Sequence, residues 1–101
     1  YCASKGGVVN MTKAMALAFA PQVRVNCVCP GYVDTDMVRR DGIDAAADPA
    51  AAEQALLDYA PLGRMAEAAE IGAAIAYLAH GNSKFVTGAA LQIDGGTTAG
   101  R

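Results

Sequence analysis

A short apolar segment, VRVNCVC at residues 23–29, constrains the fold more than any other feature of the chain. It is rich in β-branched and other apolar residues, which favours a buried β-strand. Pro30 and Gly31 follow it and end the strand. Because a helical pattern precedes the segment, we expect the strand to be parallel to its neighbours, within an α/β fold.

Helix and strand patterns alternate along the rest of the chain. Apolar residues recur every three or four positions over residues 2–20 and again over 67–79, which predicts two helices. Between them, Asp48 followed by a proline resembles a helix N-cap and first helical residue, so a helix is predicted over about 49–59. The segment AALQID at 89–94 predicts a second buried strand. Two strands do not make a stable sheet, so we expect the N-terminal half of the domain to be missing.

Two residues follow the helix predicted over 67–79 and are candidates for its C-terminal signals. Gly81 is predicted to be the C-cap, because glycine readily adopts the left-handed backbone conformation that ends many helices. His80 is interpreted as a terminus residue whose partial positive charge suits the helix dipole. We assign it no catalytic role.

The composition excludes several classes of protein. Hydrophobic residues make up 53% of the chain and charged residues 18%, which argues against a disordered polymer. The formal net charge is -2 and no block of Lys or Arg occurs, so we expect no nucleic-acid or membrane-surface partner. No apolar run approaches the roughly 20 residues that a membrane helix needs.

The three cysteines do not form a metal-binding pattern. Cys27 and Cys29 would share one face of a strand, at a spacing that poorly suits a disulfide between them. A Cys-x-x-Cys pattern is absent and the chain has one histidine, so no metal site is predicted. Together with Cys2, we interpret them as buried, reduced thiols in a cytoplasmic protein.

Tyr1 and Lys5 are the residues whose pattern most suggests chemistry. They lie four positions apart, which places them on one face of a helix. A tyrosine hydroxyl has a pKa of about 10, and a nearby ammonium group lowers it by favouring the phenolate. Lowering that pKa to about 7 takes roughly 4 kcal/mol and would produce a general acid/base. Such pairs also occur by chance on many helices, so the spacing alone is a weak signal.

Four consecutive blocks of the sequence strengthen the signal from Tyr1 and Lys5. YCASKGGVVNMTKAMALAFA, VRVNCVCPGYVDTDM, PLGRMAEAAEIGAAIAYLA and FVTGAALQIDGG resemble the C-terminal half of the short-chain dehydrogenase/reductase family. Their order and spacing match the family, and only residues 37–60 are unspecific. The resemblance implies the C-terminal half of a Rossmann-type doubly wound parallel sheet. Residues 1–101 would then be part of a single NAD(P)-binding domain, cut at the catalytic tyrosine.

The resemblance also implies residue roles. Tyr1 would be the catalytic acid/base, and Lys5 would lower its pKa and bind the nicotinamide ribose, so both would contact the cofactor. The residues implied to line the nicotinamide site are Pro30, Gly31, Val33 and Thr35. The sequence alone leaves a second explanation open for three of them, because Pro30 and Gly31 suit a plain turn and Thr35 suits a helix N-cap.

The implied function is an NAD(P)-dependent oxidoreductase that interconverts a secondary alcohol and a carbonyl. Relatives would include 3-oxoacyl reductases and dehydrogenases of sugars, polyols and secondary alcohols, with NAD or NADP as cofactor and a homodimer or homotetramer as assembly. A non-catalytic dinucleotide-binding or scaffold protein on the same fold is the alternative. The family's glycine-rich loop, catalytic serine and asparagine precede its tyrosine, so these 101 residues alone are expected to be inactive.

Residues 37–60, named the lid segment below, are expected to form a mobile lid over the substrate. Two aspartates and two arginines lie at or near its start. Asp34 and Asp36 could be metal ligands, although a loop carboxylate and a cap residue explain them better. Arg39 and Arg40 suit solvated positions, with a contact to a substrate carboxylate as the alternative.

Overall fold

The computed structural model describes residues 2–100, together with every side chain among them except that of Cys2. Tyr1, the predicted acid/base, therefore lies outside the described residues. The elements are helix α1 (Cys2–Phe19), strand β1 (Cys27–Pro30), strand β2 (Val33–Asp34), a π-helical segment (Val38–Asp44), helix α2 (Pro49–Tyr59), strand β3 (Ala66–Glu67), helix α3 (Ala68–Ala79), a 3-10 turn (Gly81–Ser83) and strand β4 (Ala90–Ile93).

The strands form two parallel pairs. The N–H of Cys27 donates to the carbonyl of Ala89 (2.9 Å), and that of Gly31 donates to Ile93 (3.0 Å). Both bonds join positions in the same order along the chain, so β1 and β4 are parallel. β2 pairs in parallel with β3. The predicted α/β fold with parallel strands is confirmed.

The described chain packs as two compact units, of residues 2–29 with 72–92 and of residues 30–71 with 93–100. In the first unit the buried residues are Thr12, Ala16, Cys29 and Ser83, and in the second they are Ile43 and Met65. The second unit contains the segment after β1 and the whole lid segment. The predicted nicotinamide loop and the predicted lid therefore belong to the same unit.

The predicted strand at 23–29 is wrong in its first half, since β1 begins only at Cys27. Before that point one main-chain bond, from the N–H of Gly88 to the carbonyl of Val25 (2.7 Å), is joined by side-chain bonds of Asn26. Its Nδ2 donates to the carbonyl of Val86 (3.0 Å), and its Oδ1 accepts from the N–H of Ala89 (3.0 Å). Side-chain bonds of this kind do not continue a regular ladder, so the strand is shorter than its apolar pattern.

Both strands are only partly buried within the described residues. Cys29 is the only buried residue of β1, and β4 exposes Leu91 and Gln92. A two-stranded sheet leaves one edge of each strand unpaired. Within residues 2–100 no third strand joins β1 and β4.

The predicted helices agree with the structure to within a residue or two. Asp48 caps α2, where its carboxylate accepts from the N–H of Ala51 (3.2 Å) and Pro49 is the first helical residue. The loop expected after β1 instead contains β2 and leads into the π-helical segment. A two-residue strand is too short to leave a periodic pattern in the sequence.

The predicted C-cap of α3 is wrong, because Gly81 starts a 3-10 turn and the side chain of Ser83 bonds to the end of the helix. The Oγ of Ser83 lies 2.7 Å from the carbonyl oxygen of Tyr77 and 2.9 Å from those of Leu78 and His80. The Nδ1 of His80 accepts from the N–H of Asn82 (3.2 Å). His80 therefore lies directly after α3, as predicted for a terminus residue, and its side chain caps the 3-10 turn.

We predict that Ser83→Ala destabilises the full-length protein that carries this chain. Ser83 is 2% exposed, so the substitution removes a buried hydroxyl that donates to a carbonyl at the end of α3. The expected loss is about 1–3 kcal/mol in the free energy of unfolding, measured by urea denaturation. Asn82→Ala, which changes an exposed neighbouring side chain, is the control. Equal stability of the two variants would contradict the capping role.

Candidate functional site

The predicted site residues lie in both units. Lys5 lies in α1 of the first unit. The other described members follow one another in the second unit, from the last residue of β1 to the start of the π-helical segment, and are Pro30, Gly31, Val33 and Thr35. These four residues therefore lie along one short stretch of chain.

Lys5 lies close to the carboxyl end of β1. Its positive charge acts on the thiol of Cys29, favouring the thiolate. The pKa of Cys29 is nevertheless raised, because burial and then the neighbouring Cys27 outweigh the lysine. Both cysteines are free, which confirms that they do not bridge each other. Lys5 therefore places a cation at the edge where doubly wound sheets bind ligands.

Gly31 lies where the ends of β1 and β4 come together. A Cβ atom at this position would lie 3.1 Å from both Cα and Cβ of Asp94, closer than ordinary contact. Any larger residue would push the turn after β4 away. The residue therefore has a packing role at the end of the two strands.

Thr35 has the N-cap role that the sequence left open. Its Oγ1 accepts from the N–H of Val38 (3.3 Å), and its carbonyl accepts from the N–H of Arg39 (3.0 Å). Accepting a bond uses a lone pair, so the hydroxyl hydrogen is still available to a ligand. Capping and cofactor binding are compatible at this residue.

An ion pair that the sequence did not predict anchors the start of the lid segment. Arg39 donates from Nε to Oδ1 of Asp34 (2.6 Å) and from Nη2 to Oδ2 (2.8 Å). Its Nη1 also lies 3.6 Å from Oε1 of Glu53 in α2. The hydrogen bonds from Arg39 lower the pKa of Asp34.

These contacts test whether Asp34 and Asp36 could be metal ligands and whether Arg39 and Arg40 could bind a substrate carboxylate. Asp34 binds an arginine rather than a metal, and among residues 2–100 no group of three His, Cys, Asp or Glu side chains could hold an ion. Arg39 is already engaged by two carboxylates, which leaves it poorly suited to a substrate carboxylate. Arg40 pairs with the adjacent Asp41 (3.1 Å) in a largely exposed position.

A cleft of about 100 Å³ lies within the second unit, between α2 and the turn after β4. Its walls include Tyr32, Leu56, Tyr59, Leu62, Arg64 and Ile93. The two tyrosine rings meet edge to face, with centroids 5.3 Å apart and an interplanar angle of 74°. Pockets that enclose organic ligands have volumes of about 300–1,000 Å³, so this cleft is too small for a dinucleotide.

A second ion pair lies on the wall of this cleft. Arg64 donates from Nη1 to Oε1 of Glu70 (2.7 Å) and from Nη2 to Oε2 (2.9 Å). The N–H of Glu67 also donates to Oε1 of Glu70 (2.9 Å). The guanidinium, and after it this N–H, lower the pKa of Glu70 to about 2.

None of the helices in residues 2–100 has the length and apolar composition needed to span a membrane. The family description "Enoyl-(Acyl carrier protein) reductase" matches residues 1–98 of the chain. A cis-4-hydroxycyclohexanecarboxylate dehydrogenase from Sinomonas cyclohexanicum is 43% identical over 100 residues, which cover 98% of this chain and 37% of that protein.

Solved structures of dehydrogenases are also similar to this chain. A short chain dehydrogenase family protein from Francisella tularensis subsp. tularensis SCHU S4 has a TM-score of 0.91 and 41% identity, covering 98% of this chain and 43% of that chain. 4-hydroxyisoleucine dehydrogenase complexed with NADH has a TM-score of 0.86 and 31% identity, covering 100% of this chain and 40% of that chain. The chain therefore spans well under half the length of these proteins.

We predict that the Arg64–Glu70 pair stabilises the full-length protein only above acidic pH. The pKa of Glu70 falls from 4.5 to about 2, so the unfolded chain takes up this proton first as pH falls. Glu70→Gln should therefore reduce stability by a constant amount above pH 4.5, and by less and less as pH falls toward 2. Urea unfolding across this range measures the difference.

Arg64→Gln provides the matching arm of the experiment. It should remove the same pH-dependent part of the free energy of unfolding. The double variant should lose no more of that part than either single variant. A difference between wild type and Glu70→Gln that stays constant down to the lowest pH would contradict the pair's role.

Proposed function

The chain belongs to the short-chain dehydrogenase/reductase family, and we propose that the full-length protein is an NAD(P)-dependent oxidoreductase that interconverts a secondary alcohol and a carbonyl compound. The observation that carries the proposal is the cation of Lys5 in α1, which lies near enough to Cys29 of β1 to act on its thiol electrostatically. Its substrate would be a small alcohol or carbonyl compound of the 3-oxoacyl, sugar, polyol or secondary-alcohol class.

Tyr1 would act on the substrate oxygen as general acid and base. In reduction it donates its phenolic proton to the carbonyl oxygen, and in oxidation it accepts the hydroxyl proton. Lys5, four positions further on, would lower the pKa of Tyr1 because its positive charge favours the phenolate. A positioned acid/base of this kind contributes about 10²–10⁴-fold to a reaction rate.

The described residues fit a nicotinamide cofactor. Lys5 would hold the ribose by a hydrogen bond from its ammonium group. Pro30, Gly31, Val33 and Thr35 would line the nicotinamide ring, with the hydroxyl hydrogen of Thr35 available to the ligand. When bound, the cofactor would supply or accept the hydride.

The pyrophosphate would bind to a part of the protein outside these residues. A dinucleotide needs a glycine-rich turn at a helix N-terminus, and the pattern Gly-x-Gly-x-x-Gly does not occur in this sequence. We therefore propose that residues 1–101 are the C-terminal part of a single domain and are inactive alone. The choice between NAD and NADP would also depend on residues outside the chain.

Two structural features support a cytoplasmic oligomer. The unbridged thiols of Cys27 and Cys29 suit a reducing compartment. Large apolar side chains are exposed on two helices, including Met11 and Leu17 on α1 and Ile75 on α3. Such surfaces suit subunit contacts in a homodimer or homotetramer.

We predict that Tyr1→Phe abolishes turnover of the full-length protein and leaves cofactor affinity unchanged. The substitution removes the exchangeable proton and keeps the ring. Turnover is followed by the absorbance of NADH or NADPH across a panel of secondary alcohols and ketones, and affinity by cofactor fluorescence. The expected loss is at least about 100-fold.

Tyr77→Phe, which changes a half-exposed tyrosine of α3, is the matched control and should retain activity. If Tyr1→Phe turns over substrate at a rate close to that of this control, the assignment of Tyr1 as acid/base is wrong. Cofactor binding by an unmodified protein that turns over no substrate of the panel would favour the non-catalytic alternative.

We predict that Lys5→Ala lowers both turnover and cofactor affinity, because one ammonium group serves Tyr1 and the ribose. Lys13→Ala changes an exposed lysine on the same helix and is the control. The same assays separate the two effects. A loss of turnover with normal affinity would show that Lys5 does not hold the cofactor.

A further inference from the structure

Two thiols that the proposed reaction does not use lie side by side in β1. Cys27 and Cys29 are separated by one residue, and alternate residues of a strand project from the same face. Both thiols are free, and they hydrogen-bond to each other. The first unit of the structure therefore presents two sulfur atoms that a single ligand atom could join.

The geometry of a strand disfavours a direct bond between these two sulfur atoms. A disulfide brings its sulfurs to about 2.05 Å and its Cα atoms to about 5.5–6 Å. Positions separated by one residue on a strand have Cα atoms about 6.6 Å apart, because each residue advances the chain by about 3.3 Å. An atom that bonds to both sulfurs bridges a wider gap. Two bonds as long as that between zinc and sulfur, about 2.3 Å each, allow sulfurs up to about 4.6 Å apart.

An open cleft in the first unit leads to the first of the two thiols. It has a volume of about 290 Å³ and lies between the start of β1 and the end of α3. Cys27 lines it, and its apolar walls include Val28, Ile75 and Leu78. Pockets that enclose organic ligands begin at about 300 Å³, so the cleft is large enough for one aromatic ring beside Cys27.

The two thiols differ in their access to a ligand. Cys27 is half-buried, whereas Cys29 is 4% exposed. Burial, and after it the neighbouring Cys27, raise the pKa of Cys29, so its thiol keeps its proton at neutral pH. A ligand that enters through the cleft therefore bonds to Cys27 first, and that bond brings it to Cys29.

From this arrangement we propose that Cys27 and Cys29 form a dithiol site for a small trivalent organoarsenical, whose organic substituent lies in the cleft against Ile75. Trivalent arsenic is a soft centre, and soft centres prefer thiolate sulfur as ligand. One As–S bond forms to each cysteine, and the oxygen of the As=O group leaves as water with the two thiol protons. Arsenic stays trivalent and neither sulfur is oxidised, so the step needs no further reactant.

The test uses phenylarsine oxide and the reduced full-length protein. Intact mass is measured at increasing concentrations of β-mercaptoethanol, a monothiol that competes for arsenic. The unmodified protein should retain one phenylarsenic group per chain and release it to dimercaprol, which is a dithiol. Cys27→Ala and Cys29→Ala should each bind at least about 100-fold more weakly, because a second bond within one molecule raises affinity by about 10²–10⁴-fold.

Matched variants separate the site from other thiols and from loss of structure. Cys2→Ala removes the third cysteine of the chain and should retain the group like the unmodified protein. Thermal unfolding checks that each variant folds. If Cys29→Ala fails to fold, Cys29→Ser keeps the size of the side chain and removes the thiol. Ile75→Ser should weaken the binding of phenylarsine oxide and leave that of arsenite, which has no ring, unchanged.

Two results would overturn the dithiol site. One is release of the group from the unmodified protein at the same monothiol concentration as from Cys27→Ala. The other is retention of the group by the double variant Cys27→Ala/Cys29→Ala, which would show that other thiols of the full-length protein bind arsenic. Equal affinity of Ile75→Ser and the unmodified protein for phenylarsine oxide would overturn the position of the ring. Retention that requires Cys27 and Cys29 but not Cys2 is the result that we expect.

Discussion

A single main-chain hydrogen bond, from the N–H of Gly31 to the carbonyl of Ile93, holds together the point on which the second unit depends. Gly31 packs closely against the turn after β4 at this point, since a Cβ would lie 3.1 Å from Asp94. From this point one branch of the chain continues into β2 and the other into the turn at Gly95. Each branch then contacts one part of the lid segment.

The lid segment is attached by contacts that are specific and individually weak. The side chains of Arg39, Asp34 and Glu53 are all more than a third exposed, and ion pairs at such positions contribute little to stability. A single aromatic edge contact completes the attachment at Tyr59. Weak attachments with fixed geometry suit a segment that must open for substrate and close in one position, because little free energy separates the two states.

The sequence predicted what local interactions decide. Asp48 caps α2 through a bond to a residue three positions away, so the pattern of Asp followed by Pro was sufficient. The caps and pairings that it missed involve nonlocal or less regular partners. Asn26 bonds with residues 86 and 89, and Ser83 returns to carbonyls of the preceding helix. No periodic pattern marks such side chains before the fold brings them together.

The sequence predicted some residues of the candidate site and missed others. Lys5 and the loop from Pro30 to Thr35 follow from the resemblance, and the structure places that lysine near the end of β1. Tyr32 and Asp34 were not recognised as contacts of the lid segment, because a single aromatic or acidic side chain in a loop does not indicate which later residue it will contact.

The most direct measurement of this account is a crystal structure of the full-length protein with NADH or NADPH bound. The account predicts the nicotinamide ring against Gly31, Val33 and Thr35, with Tyr32 and Asp34 in contact with Tyr59 and Arg39. A nicotinamide ring that binds away from this loop would contradict it.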